Sequence, residues 1–337
     1  MARSWKKFAI IFIVTIIILA TLVITFTIGW RPILGAKKRA LTEQKFDATS
    51  QRLARGEYLV NGVLGCFGCH TDADSSKPGA PPVAGREGSG HIWSDQGLPW
   101  LIAPNITSDK ETGVGAWSDD TLARAIREGI GHDGRALFPI MPYPNYRWMS
   151  DEDLASVIVY LRTPPPVRNQ LATTKIPFPL NRLIQAVPEP ITAASPAPNQ
   201  STPAARGAYL VRMASCADCH TPQEKGQPIP GMDFAGGFLL YEPKGPVAST
   251  NITPAPSGIG YYNEATFVRA LREGKVGARP LHASMPWYFY GKMTDDDLKS
   301  IFAYLQTVKP VKHQLDNAEL PTYCRLCKQR HGMGATN

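Results

Sequence analysis

The sequence predicts a mainly α chain, with one N-terminal transmembrane helix followed by two tandem helical units. Three observations predict it. Cys66-Phe67-Gly68-Cys69-His70 recurs 150 positions later as Cys216-Ala217-Asp218-Cys219-His220. The segments that flank the two copies match one another in the same order. Phe8 to Ile28 is a run of 21 residues without a charge.

The apolar run comes first in the chain. It is long enough to cross the roughly 30 Å hydrocarbon core of a bilayer as a helix. Arg3, Lys6 and Lys7 precede it and favour a cytoplasmic N-terminus, although Arg31, Lys37, Lys38 and Arg39 weaken the asymmetry. The alternative is a cleaved secretory signal. Such signals have an apolar region of about 7 to 15 residues and a small-residue cleavage site; this run is longer, and no clear A-x-A follows. The expected location is the bacterial cytoplasmic membrane, in a single pass, with the later units in the periplasm.

A Cys-x-x-Cys-His motif supplies two thiols that bond to the vinyl groups of a haem and an imidazole for its iron. Six Cys and seven His in 337 residues give a chance expectation of about 0.002 such matches. Two motifs therefore imply two covalently bound c-type haems, one at Cys66 and Cys69 with His70, the other at Cys216 and Cys219 with His220. The formal charge of +8 omits the propionates, about two negative charges per haem, so the real balance is closer to neutral. The basic residues are dispersed and accompany no nucleic-acid motif, which argues against such a partner. With 30 Pro and 29 Gly, the helices should be short and separated by irregular loops.

The repeat predicts the remaining elements. Gln51 to Leu64 reads as a helix leading into the first motif. Gly56-Glu57-Tyr58-Leu59-Val60 matches Gly207-Ala208-Tyr209-Leu210-Val211, one residue out of step with the cysteines. Asn105-Ile106-Thr107 pairs with Asn251-Ile252-Thr253. Leu122 to Gly129 pairs with Phe267 to Gly274 as an amphipathic helix with a glycine C-cap, on which Arg124 and Arg269 read as a solvated face. The closing helices start at Ser150 and Thr294, each with an acid three residues later, and end in Tyr160-Leu161 and Tyr304-Leu305. Matched Gly and Tyr on the first and last helices should let them cross closely. The expected domains are an anchor at 1–45, haem domains at 46–163 and 205–311, a Pro-rich linker at 164–204 and a tail at 312–337. From Lys312 onward the tail has no counterpart in the first unit.

Each iron needs a sixth ligand, and methionine gives a closed, high-potential site. Met141 and Met285 both precede proline, which suits a ligand carried on an extended loop. Met149 and Met293 each precede a helix cap, where an apolar side chain packs back on the first turn. The axial roles therefore go to Met141 and Met285. His91, His132, His282 and His313 are the alternatives, but none is matched between the units, and surface or loop positions are expected for them. Two closed sites imply electron transfer with no small-molecule substrate and no catalytic residue. The competing reading is a haem enzyme of the dihaem peroxidase or thiosulfate dehydrogenase type. Cys324 and Cys327 form a third Cys-x-x-Cys, followed by Lys328, and read as a disulfide or two loop thiols in an oxidising compartment.

On these residues the chain resembles the class I cytochrome c superfamily, which implies two tandem class I cytochrome c domains. More narrowly, Asn105-Ile106-Thr107, Gly115-Ala116-Trp117, Asp133-Gly134-Arg135 and Met141-Pro142-Tyr143 are similar to the cytochrome subunits of periplasmic alcohol and sugar-acid dehydrogenases. Those carry three haems, where this chain has two motifs and an N-terminal anchor. An N-terminal anchor followed by two c-type domains also resembles the dihaem subunit of cbb3-type oxidases. The implied partner is a membrane redox complex, a dehydrogenase or a terminal oxidase.

Overall fold

The computed structural model describes residues 2–93, 98–224, 226–242, 245–318, 322–323, 325, 328, 330–331 and 333. In chain order the helices are α1 (Ala2–Phe26), α2 (Arg31–Leu34), α3 (Ser50–Tyr58) continued by a π turn (Leu59–Val63), α4 (Cys66–Cys69), α5 (Asp119–Glu128), α6 (Tyr143–Tyr146) and α7 (Asp151–Leu161). They continue with α8 (Leu180–Leu183) and a 3-10 turn (Ile184–Ala186), α9 (Pro203–Met213), α10 (Cys216–His220), α11 (Glu264–Glu273), α12 (Trp287–Tyr290) and α13 (Asp295–Leu305). The strands among the described residues form five short two-stranded ribbons, so the chain is mainly helical, as expected.

The chain forms two compact units, one of Met1–Glu43, Asp120–Arg147 and Ile176–Ala193, the other of Gln44–Asp119, Trp148–Lys175 and Ala194–Asn337. In the first, α1 contains a 22-residue stretch, Trp5–Phe26, long and apolar enough to cross a membrane. The segment after α2 is fastened onto α5. The Arg39 guanidinium bonds Asp120 at 2.5 Å and Glu128 at 2.7 Å, and the Thr42 N–H donates to Asp120 at 2.6 Å. This covers the polar side of α5, so Arg124 is buried and donates to the Gly131 carbonyl at 3.1 Å. The expected solvated face at Arg124 is thus corrected; its counterpart Arg269 is exposed. Gly129 has φ +71, and a Cβ there would strike the Tyr143 ring.

In the second unit the repeat governs the packing. α3 crosses α7 where Gly56 lies against Ser156 and Tyr160, and α9 crosses α13 where Gly207 lies against Ser300 and Tyr304. The expected Gly-Tyr crossing therefore occurs twice. Ser150 and Thr294 cap their helices by accepting from the Asp153 and Asp297 N–H, both at 3.2 Å. Met149 and Met293 are fully buried behind those caps. The one-residue offset before the first motif is absorbed by the π turn, in which the Leu64 N–H donates five residues back to Leu59 at 2.8 Å.

The two copies also clasp each other reciprocally. Asp153 takes a two-pronged bond from Arg55 at 2.8 and 2.9 Å and a third from the Tyr209 hydroxyl at 2.7 Å. Asp297 takes the matching bonds from Arg206 and the Tyr58 hydroxyl. Burial and then the Asp297 carboxylate push the Tyr58 hydroxyl up to about 12 from an ordinary 10. A raised folded pKa means that the stabilisation is fully present below pH 10 and is lost as pH climbs toward 12. The stability advantage of the native chain over Tyr58→Phe, measured by urea unfolding at a series of pH values, should therefore hold at neutral pH and vanish over that window.

The tail expectation is also corrected. Val167-Arg168-Asn169-Gln170-Leu171 matches Val311-Lys312-His313-Gln314-Leu315. Asn169 donates to the Ser89 carbonyl at 2.9 Å, and His313 Nδ1 lies 2.9 Å from the equivalent Ala235 carbonyl. The repeat thus continues past 163 and 311. His313 is a buried core residue, not the surface or loop histidine expected. Cys324 and Cys327 lie outside the described residues.

Candidate haem-attachment sites

Both motifs begin with a left-handed residue, Gly65 at φ +57 and Ser215 at φ +56. This step turns the chain into the one-turn helices α4 and α10. Cysteines three apart on a helical turn share one face. Cys66 and Cys216 are half-buried, Cys69 and Cys219 are exposed, and none of the four is in a disulfide.

His70 Nδ1 lies 2.7 Å from the Pro104 carbonyl and His220 Nδ1 lies 2.6 Å from the Thr250 carbonyl. A carbonyl only accepts, so each Nδ1 carries the hydrogen and each Nε2 keeps its lone pair. Burial lowers both imidazole pKa values, which keeps the rings neutral as ligation requires. Two thiols on one face beside a neutral imidazole with a free Nε2 are the donor set of a c-type haem, and the residues fit that group.

The shared Asn-Ile-Thr has a positioning role that reading the sequence did not reveal. Asn105 Oδ1 accepts from the Thr107 N–H at 2.9 Å and its hydroxyl at 2.7 Å, while Asn105 Nδ2 donates to the Val167 carbonyl at 2.7 Å. Asn251 makes the same bonds with Thr253 and Val311, at 2.9, 2.8 and 2.9 Å. Each knot fixes the residue just before it, Pro104 or Thr250, whose carbonyl holds the histidine. The recurrence of the tripeptide was the visible signal; the bond to histidine spans 34 residues in one copy and 30 in the other and is not a local pattern.

Met141 and Met285 occupy the same local turn. Each N–H donates three residues back, at 3.1 and 3.0 Å, and each carbonyl accepts from the residue after proline at 2.7 Å. Both side chains are half-buried, whereas Met149 and Met293 are committed to packing. His220 and Met285 belong to the same compact unit; Met141 belongs to the other unit from His70. Of the other histidines, His91 pairs with Asp72 at 2.7 Å and His282 is exposed beside Ser284.

Both motifs lie in the second unit. A Cβ on Gly68 would approach Phe289, four residues after Met285, to 2.8 Å, so the first motif seats against α12. The surrounding protein pushes the Cys69 thiol up to about 11, and the Cys219 thiol adds to that shift. Tyr290 is raised well above its ordinary value by burial and then by the thiols of both motifs, and it donates to the Ala214 carbonyl at 2.7 Å.

The family model described as cytochrome c matches residues 204–309. The chain is 29% identical over 79% of its length to the cytochrome c subunit of a quinone alcohol dehydrogenase from Gluconobacter oxydans, covering 56% of that protein. It is 31% identical over 77% of its length to the gluconate 2-dehydrogenase cytochrome c subunit of Pantoea cypripedii, covering 60% of it. A dihaem c-type cytochrome of Cereibacter sphaeroides is 27% identical over 79% of this chain and 89% of its own length. The chain thus spans little more than half of the two dehydrogenase subunits it matches. Residues 204–309 are a cytochrome c domain, carried in a chain related along most of its length to cytochrome c subunits and to a dihaem c-type cytochrome.

Proposed function

We propose that this chain is a membrane-anchored dihaem c-type cytochrome that passes single electrons between a donor complex and an acceptor. The observation that carries the reading is the pair of equivalent Cys-x-x-Cys-His motifs. Each has its histidine Nδ1 bonded to a backbone carbonyl, and the first motif seats against Phe289 of the second copy. Two class I cytochrome c domains, at 46–163 and 205–311 with their Val-to-Leu extensions, would each hold one haem. His70 with Met141 and His220 with Met285 are the axial pairs.

When bound, each haem supplies a one-electron couple whose potential is set by its axial ligands and surroundings. The chain's own residues orient the imidazoles through the Pro104 and Thr250 carbonyls. Trp5–Phe26 is the anchor, with the N-terminus cytoplasmic and the haem domains periplasmic. It keeps both sites near membrane partners at raised effective concentration. The relatives named as dehydrogenase subunits favour a dehydrogenase as the redox partner, and they favour electron transfer over catalysis by this chain. Intact mass after acid-acetone treatment should show two haems retained per chain. Free extraction, or a single haem, would remove the relay.

A further inference from the structure

The linker residues next to α8 are more apolar than a free tether requires, and within the first compact unit they have a definite place. α2 packs on α8 and the following 3-10 turn, and the Ala36 N–H donates to the Gln185 side chain at 3.1 Å. One face of this cluster is closed, with Ile184 and Pro32 buried. Ile33, Leu34, Phe178, Leu183 and Val187, on or beside the same packed elements, are exposed to solvent, Phe178 at 80% and Leu34 at 69%. Large apolar side chains exposed on elements that pack together mark an interaction site.

The occupant follows from what the patch adjoins. Only four residues separate Phe26, the end of α1, from Arg31, the start of α2, a reach of at most about 18 Å. The Trp30 indole bonds back to Thr25 in the last turn of α1 at 3.1 Å, tying the patch to the helix end. An aromatic at that level is the usual mark of a membrane–water boundary. The charges agree. Lys37, Lys38 and Arg182 are exposed around the patch, and neither 30–42 nor 173–187 contains a carboxylate. Glu189, the acid that lies near Lys37, is ion-paired with Arg147 at 2.8 Å, and apolar side chains beside exposed cations suit an anionic lipid surface.

We propose that Trp30–Leu34 and residues 176–187 form a collar that sinks its apolar side chains into the lipid interface around the exit of α1. The collar rests on the reading of α1 as an anchor and adds to it. The linker between the haem domains then touches the bilayer at a second point remote in sequence, which limits swivelling about a single helix.

The test uses the full, haem-loaded chain in vesicles of phosphatidylglycerol and phosphatidylethanolamine, with p-benzoylphenylalanine replacing Phe178, Phe12 in α1, or the exposed linker residue Asn199 in separate samples. After irradiation, lipid adducts are counted by mass spectrometry. Adducts at Phe178 comparable with Phe12 and several-fold above Asn199 are expected. Adducts at Phe12 with only the Asn199 level at Phe178 would overturn the collar and leave the anchor standing. No adducts at Phe12 would overturn the anchor itself. Crosslinking of Phe178 to a protein instead of lipid in native membranes would also sink the proposal.

Discussion

Gly56→Ala and Gly207→Ala are each expected to destabilise the folded chain by about 3 kcal/mol, the upper range for forcing extra atoms into a packed core. A Cβ on Gly56 would fall on the Ser156 carbonyl oxygen and within 2.6 Å of the Tyr160 Cβ; on Gly207 it would fall on the Ser300 carbonyl oxygen and within 2.9 Å of the Tyr304 Cβ. The nearest atoms are backbone and Cβ, which cannot rotate away, so the helices must separate. Total stabilities of about 5–15 kcal/mol make such a loss large. Gly62 provides the contrast, because a Cβ there meets nothing closer than the Met293 side chain at 3.7 Å, and Gly62→Ala should be nearly neutral. Urea unfolding followed by circular dichroism separates the cases; an unchanged midpoint for Gly56→Ala or Gly207→Ala would refute the crossing.

The second large effect falls on the proposed iron ligands. Met285→Ala should abolish one haem's share of the near-infrared sulfur-to-iron band and lower that site's potential on the order of 0.1 V, within the roughly 0.8 V that axial ligation and surroundings command. Met293→Ala should leave the band intact but cost about 2–5 kcal/mol of stability, as large-to-small changes at buried sites do, because Met293 is 1% exposed. The pair of variants therefore trades places between the two readouts. Loss of the band in Met293→Ala would transfer the axial role to that residue.

What was legible in the sequence is what local patterns encode. The helix caps at Ser150 and Thr294 and the buried Met149 and Met293 behind them are set by residues within one or two turns, whereas the crossings of Gly56 with Tyr160 and Gly207 with Tyr304 are long-range and were legible only because the repeat presents the pair twice. The out-of-step cysteines also had a local cause, the π turn at Leu59–Val63. Polar bonds across long separations, with no repeated pair to mark them, were not legible. Arg39 reaches Asp120 across 81 residues, and that contact buries a helix face that its own charges mark as solvated. The histidine carbonyls belong to the same class, as does His313, whose burial depends on Ala235, 78 residues earlier. The match of Val167–Leu171 with Val311–Leu315 was present in the sequence but is easily passed over, because Asn169 and His313 differ in chemistry while serving the same kind of bond to a carbonyl.

Two closed, low-spin sites in one chain should exchange electrons and do nothing else. A redox titration of the purified, membrane-reconstituted chain, followed in the visible and near-infrared, tests it most directly. Two one-electron steps should appear, the sulfur-to-iron band of both oxidised sites should disappear on reduction, and neither added peroxide nor thiosulfate should be turned over. A high-spin haem that binds small ligands, with peroxide or thiosulfate turnover lost on changing one axial residue, would make the chain a haem enzyme instead.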